Sequence, residues 1–189
     1  PLEETRLFQK PITWFERAQV WGDSIRVRAR KRSLDTVYVR GAAFAAQRDT
    51  VLDRIQQLKG KDITAFFRAD SLRRILARPN AQAIRFLAKE DGTLKGAAKA
   101  SGDRIILQFR GGSVRRIRVL GGVQSKYYRK PEQIPNPFEL EGFQWTPDRK
   151  PTRDGLLDDD RVRQRLNLKQ VDTPPVVVRD SEAGASSSD

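Results

Sequence analysis

Strict alternation of apolar and polar residues dominates most of the chain. Apolar side chains fall on every second position in Ile25/Val27/Ala29, Val37/Val39, Ile63/Ala65/Phe67, Ile75/Ala77, Ile105/Leu107/Phe109 and Ile117/Val119. A period of two puts these odd-numbered residues on one face of β-strands and their even-numbered neighbours on the other. Short joints containing Ser or Gly separate the runs in pairs, which predicts antiparallel hairpins. A Gly or Pro follows each second run, supplying tight-turn dihedrals.

The hairpins repeat. SLRRILARPNAQAIRF from Ser71 is echoed by SVRRIRVLGGVQSKYY from Ser113, 42 residues on. A third copy lies 38 residues before the middle one, with Ile25, Val27 and Ala29, then Ser33-Leu34, then Val37 and Val39. LFQKPITWF, starting at Leu7, forms a half copy that matches ILARPNAQA from Ile75. The turn residue recurs as Pro11, Gly41, Pro79 and Gly121. Repeats of this length point to stacked units that share one core. The fold expected is all-β: a stack of antiparallel hairpin repeats, apolar on its odd face.

Two segments break the pattern. Between Asp49 and Lys61, Val51, Leu52, Ile55 and Leu58 stand at helical spacing, with Asp49 as N-cap and Gly60 as stop. That predicts one short inserted helix over an end of the stack. From Arg129 onward, prolines and aromatics replace alternation, and Phe138, Leu140, Phe143 and Trp145 are expected to close the end of the core. The division expected is a β domain over 1–150 and a tail over 151–189. In the tail, Asp158–Lys169 reads as a short helix, and the stretch from Pro174-Pro175 to the end reads as disordered.

Composition narrows the chemistry. Of 189 residues 38% are hydrophobic, and mean hydropathy is −0.65, enough for a moderate core. The net charge of +13 favours phosphate-bearing partners: nucleic acid, phospholipid or phosphorylated glycolipid. Residues 146–189 carry 8 basic and 9 acidic side chains, so the preceding part holds a net +14. The basicity therefore belongs to the β domain. There is no Cys, hence no disulfide framework or thiolate metal site, and no His. Ser-His-Asp and Cys-His machinery and imidazole metal sites are thereby excluded. Paired carboxylates remain formally open, but no acidic cluster stands out. A protein that is not an enzyme, with neither cofactor nor metal, is expected. The chain has no Met and opens Pro-Leu-Glu-Glu, as expected of a processed or excised piece whose signal peptide lies upstream. No apolar run has the length that crosses a bilayer, so a soluble piece is expected.

The even face carries Arg26, Arg28, Arg30, Arg40, Arg68, Arg74, Arg110, Arg116 and Arg118. Taken singly, each is the solvated outer position of a one-sided sheet. Their collective excess over Glu on that face leaves room for phosphate binding.

Several stretches together resemble a known family. FQKPITWFERAQVWGDSI, the Q-x-L-K-G-K-D-I segment, ADSL and GGVQSKYY…PNPFELEGFQW, in this order over roughly residues 5–150, are similar to the lipopolysaccharide-transport proteins of the LptA/OstA-like group, in its divergent branch with a P-F-x-L-x-G-F-x-W closing motif. The resemblance implies a β-jellyroll, a twisted and incompletely closed pair of sheets shaped like a taco. It also implies a periplasmic home, with outer-membrane association left open, and transport of lipopolysaccharide in a shared apolar groove. As partners it implies the lipid A part of lipopolysaccharide and other jellyroll transport proteins joined end to end by strand pairing. Homo-oligomers are also left open.

On that reading Ile25, Val27, Val37, Val39, Ile63, Phe67, Ile75, Ile105, Leu107, Phe109, Ile117 and Val119 form the lipid-binding inner face. Arg26, Arg28, Arg68, Arg74, Arg110 and Arg116 are expected at its rim, meeting head-group phosphates. The principal rival is a nucleic-acid-binding β module, against which Tyr38, Phe66, Tyr127 and Tyr128 show no clustering on one face. A nucleic-acid partner is therefore not expected. A purely structural stacking protein is the third reading. The discriminator is position: a nucleic-acid binder carries aromatics among its arginines, and a lipid binder carries them behind.

Overall fold

A computed structural model describes residues 2–15 and 17–150. Strands β1 (Leu2–Phe8), β2 (Ile12–Phe15), β3 (Ala18–Trp21), β4 (Ser24–Arg30), β5 (Ser33–Asp49) and β6 (Arg54–Arg68) come first. Strands β7 (Ser71–Arg78), β8 (Ala81–Ala88), β9 (Leu94–Gly102), β10 (Arg104–Arg110), β11 (Ser113–Leu120) and β12 (Gln124–Tyr128) follow. All pairings are antiparallel. This is the expected all-β, jellyroll-like stack of hairpins.

The twelve strands form one sheet with two arms that share the long hairpin of β5 and β6. The first wall runs β1-β4-β5-β6-β7-β10-β11 and the second β2-β3-β5-β6-β8-β9-β12. The walls fold onto each other along a crease where β5 changes register between Arg40 and Ala43. One core cluster contains residues of both, Ile25, Val39, Ile63 and Ile105 from the first wall with Ala43, Leu58 and Ala81 from the second.

The repeated string is a rung of the first wall. Hairpins β4–β5, β6–β7 and β10–β11 turn at Lys31-Arg32, Ala69-Asp70 and Gly111-Gly112, each pair with both φ angles positive. Two positive φ angles define the type I′ turn, whose twist matches that of paired strands. Immediately after each turn the register slips by one residue, leaving Asp35, Arg73 and Arg115 unpaired. Ser-apolar-x therefore encodes the same β-bulge three times.

The recurring Pro11, Gly41, Pro79 and Gly121 mark crossings from the first wall to the second. The return crossings are Gly22-Asp23, Gly60-Lys61 and Gly102-Asp103. Backbone bonds from Asp23 N–H to the Arg40 carbonyl (2.9 Å) and from Asp103 N–H to the Gly121 carbonyl (2.8 Å) tie outgoing and returning chains together. Gly41 and Gly121 have φ of +70° and +73°, and a Cβ on either would overlap the carboxylate of Asp23 or Asp103 respectively. The crease thus carries two Gly–Asp locks, 80 residues apart.

Two expectations are corrected. There is no helix over Asp49–Lys61: these residues end β5, turn, and begin β6. Asp49 does bond the following amides as an N-cap would, accepting from Val51 N–H (3.0 Å) and Leu52 N–H (3.1 Å), but it closes a tight turn. Val51 is exposed there, while Ile55 and Leu58 point to opposite faces of β6. Helical spacing was accidental. Nor do Phe138, Leu140, Phe143 and Trp145 close an end of the core: they cover the outer face of the second wall, against Trp21, Phe44 and Ile84. That wall is apolar on both faces, because the crease shift sends Phe44 and Ala46 outward and Ala43 and Ala45 inward. The short helix expected at 158–169, and the tail as a whole, lie outside the described residues.

Three buried glutamines fasten the covering strap and the splayed strands. Gln57 donates to the Phe138 carbonyl (3.4 Å) and accepts from Leu140 N–H (2.9 Å). Gln19 donates to the Gln144 carbonyl (3.2 Å) and accepts from Thr146 N–H (2.9 Å). Gln56 does the same with the two backbone groups of Phe86 (3.1 and 2.8 Å). A carboxamide has the donor and acceptor of a peptide group, so each replaces one missing step of strand pairing.

Candidate lipid-binding site

The inner face of the first wall is built in rows across the strands. The row at the crease reads Leu7, Ile25, Val39, Ile63, Ala77, Ile105 and Val119, each opposite the next. The next row outward reads Thr5, Val27, Val37, Ala65, Ile75, Leu107 and Ile117. Ten of the twelve residues expected to meet lipid stand in these two rows. The other two, Phe67 and Phe109, lie one row further out and pack against the same core.

Burial grades away from the crease. The central residues of the first row are at most 2% exposed, whereas Val27, Ile75, Phe67 and Phe109 are only partly buried. At one edge of the fold the inner face opens to solvent: Ile117 on edge strand β11 is 43% exposed, and Tyr127 on edge strand β12 is 45% exposed. Elsewhere the walls touch, with the rings of Phe15 on β2 and Phe67 on β6 6.5 Å apart. The interior is a closed core at the crease and an apolar seam between β11 and β12.

The facing wall is lined with small residues. Its inner row reads Val20, Ala45, Leu58, Ala83, Ala100 and Ser125. The bulky side chains of the first wall thus face a row in which three of six residues are alanine, Ala45, Ala83 and Ala100.

All six arginines expected at the rim stand on the outer face of the first wall, on the side away from the apolar rows. Alternation separates them: outside the short stretch between each turn and its bulge, an even residue of the first wall cannot share the face of Ile25 or Ile63. Arg26 and Arg28 stack on Tyr38, with guanidinium carbons 4.3 and 5.4 Å from the ring centre, and Arg74 stacks on Phe66 at 4.3 Å. Arg28 also pairs with Glu4 (2.8 Å), a bond that, with Arg6, holds the Glu4 carboxyl below its usual range. Arg68, Arg110 and Arg116 are exposed. Tyr38 and Phe66 thus do share a face with the arginines, contrary to the expected scatter, while Tyr127 and Tyr128 belong to the second wall.

The charge that does face inward escaped the sequence pattern. Arg85 follows Ala83 on the inner side of β8, whereas Ile84 and Phe86 face the strap. Burial lowers the affinity of its guanidinium for its proton, offset in part by Asp49. Burial also acts on Asp49, raising its carboxyl, but bonds from Leu52, Gln56 and Val51 and the charge of Arg85 outweigh it and hold that carboxyl low.

No family model matches the chain, and no curated protein matches it in sequence. Among solved structures, it is similar to LptH, the LptA homologous periplasmic component of the conserved lipopolysaccharide transport device from Pseudomonas aeruginosa. The likeness has a TM-score of 0.47 at 12% identity and covers 69% of this chain and 96% of that one.

Proposed function

We propose that this protein is a non-enzymatic carrier in the bacterial envelope, holding the acyl chains of lipopolysaccharide between its two walls. The observation that carries this reading is the graded interior: two continuous apolar rows, faced by alanines, opening at the β11–β12 seam. Each methylene buried there contributes about 0.8 kcal/mol, so several chains bind firmly without a specific bond. The seam lets the sugar part remain in water. The ordered sequence motifs that resemble the LptA/OstA-like group support lipopolysaccharide as the ligand, a periplasmic location and neighbouring jellyroll proteins as partners.

A second reading draws on the outer face of the first wall. Its arginines interleave with Tyr38 and Phe66, the arrangement expected of a polyanion binder. Both rings are already covered by guanidinium groups of the same face, which leaves them less free to stack on bases.

Displacement of a fluorescent acyl probe by purified lipopolysaccharide tests the first reading, with single-stranded DNA as the comparison ligand at moderate and high salt. Displacement by lipopolysaccharide that survives added salt, without DNA binding, is the expected result. Salt-sensitive DNA binding without displacement of the probe would move the function to the outer face.

A further inference from the structure

We propose that Arg85 is the headgroup-binding residue of the interior, its guanidinium taking a phosphate or carboxylate oxygen of an acyl amphiphile whose chain lies along the alanines of β8 and β9. The assignment rests on the lipid-carrier reading and adds to it a point of recognition.

Four observations support it. First, Arg85 stands on the inner face in a row with Ala98 and Tyr127, one residue per strand across β8, β9 and β12. It lies two strands in from the open seam, about 10 Å at ordinary strand spacing, within reach of a headgroup entering there. Second, its Nε is buried and has no hydrogen-bond partner. Third, it makes no ion pair with any described residue. Asp49 is the obvious candidate, but its carboxylate is already engaged by Val51 N–H, Leu52 N–H and the Gln56 amide. Fourth, the neighbours are small: Ala83, Ala98 and Ala100 leave an apolar floor beside the charge.

A desolvated guanidinium without a partner weakens a fold. The outer arginines avoid that cost by reaching water or stacking on rings. The Nε of Arg85 does neither, and the missing partner is an anion. Guanidinium suits phosphate and carboxylate because its fork donates two parallel bonds to their oxygens. Tyr127, exposed at the seam in the same row, offers a hydroxyl to the same headgroup.

The test uses the full chain and three probes: dodecyl phosphate, dodecyl maltoside as its uncharged counterpart, and inorganic phosphate, in wild type, Arg85→Gln, Arg85→Lys and, on the outer face, Arg118→Gln. Arg85→Gln should weaken dodecyl phosphate by about tenfold or more and leave dodecyl maltoside unchanged. Arg85→Lys should recover part of the loss, and Arg118→Gln should change neither. Arg85→Leu should also unfold at equal or higher denaturant than wild type, since it removes an unpaired charge. Equal affinity of Arg85→Gln and wild type for dodecyl phosphate overturns the assignment while leaving the carrier reading intact. Inorganic phosphate binding as tightly as dodecyl phosphate overturns the headgroup source. Failure of both amphiphiles to bind wild type overturns the carrier reading and the assignment together. A marked loss of stability in Arg85→Leu makes the residue structural and overturns the assignment regardless of lipid.

Discussion

Single residues in this protein are constrained by where they sit in the repeat, and two glycines show how differently. Gly111 and Gly121 both have positive φ, +56° and +73°. A Cβ on Gly111 meets nothing, and the equivalent turn position in the preceding rung is Ala69, with φ +48°. A Cβ on Gly121 runs into the Asp103 carboxylate. Gly111→Ala should therefore cost only the left-handed strain, about 1–2 kcal/mol, and Gly121→Ala clearly more. Urea unfolding of the two variants against wild type measures the difference. Equal losses would mean that the crease locks have no role in stability. Arg85 shows the limit of reading residues from sequence. In the string AQAIRFLA nothing marks one arginine among many, since Phe86 behind the strap and Leu87 beside it are both apolar. Only the crease, by giving the second wall two apolar faces, turns that arginine inward.

At the level of elements, the strap from Phe138 to Trp145 is a covering layer, held as much by two amide side chains as by its rings. Phe138 meets Tyr128 and Phe86 edge-on at 5.2 and 5.8 Å, and Phe143 lies 6.1 Å from Phe44. Gln57→Leu keeps the volume but leaves Leu140 N–H buried without an acceptor, which costs about 1–3 kcal/mol. Trp14, Trp21 and Trp145 all belong to the layer outside the second wall or its supporting strands. Intrinsic fluorescence of Gln57→Leu should therefore shift to longer wavelength before the β signal in far-UV circular dichroism is lost. Coincident transitions would show that the strap and the sheet come apart as one unit. The strands and their faces were legible in the sequence because alternation survives wherever one face is buried, as in Ile105/Leu107/Phe109. The helix over Asp49–Lys61 was misread because Asp49 makes capping bonds in a turn as well as in a helix. The glutamine fasteners were not legible at all: a Gln that pairs with backbone leaves no mark that a surface Gln lacks.

For the whole molecule, architecture and charge separate cleanly by face. Apolar rows lie inside and the stacked and exposed arginines of the first wall outside, whereas Arg85, with Asp49 near it, carries charge to the inner side. The seam between β11 and β12 joins solvent to the graded interior, and the exposure of Ile117 and Tyr127 there follows from their being the last strands of their walls. Their position also explains why the inner apolar set was readable while the rim was not. Period two separates the two sides of a sheet, but it carries no information about which edge is left open.

The crossings at Lys61 and Asp103 have a consequence for size. Residues 61–102 hold the rest of β6 together with β7, β8 and β9, two strands for each wall between two like crossings. A tandem duplication of that stretch should fold as an extra storey, lengthening the molecule by about 10 Å. Small-angle scattering would register the increment in maximum dimension, and an unchanged or expanded, unfolded profile would count against it. Length in this architecture comes in whole storeys, so a longer molecule needs only a second copy of a single segment of gene.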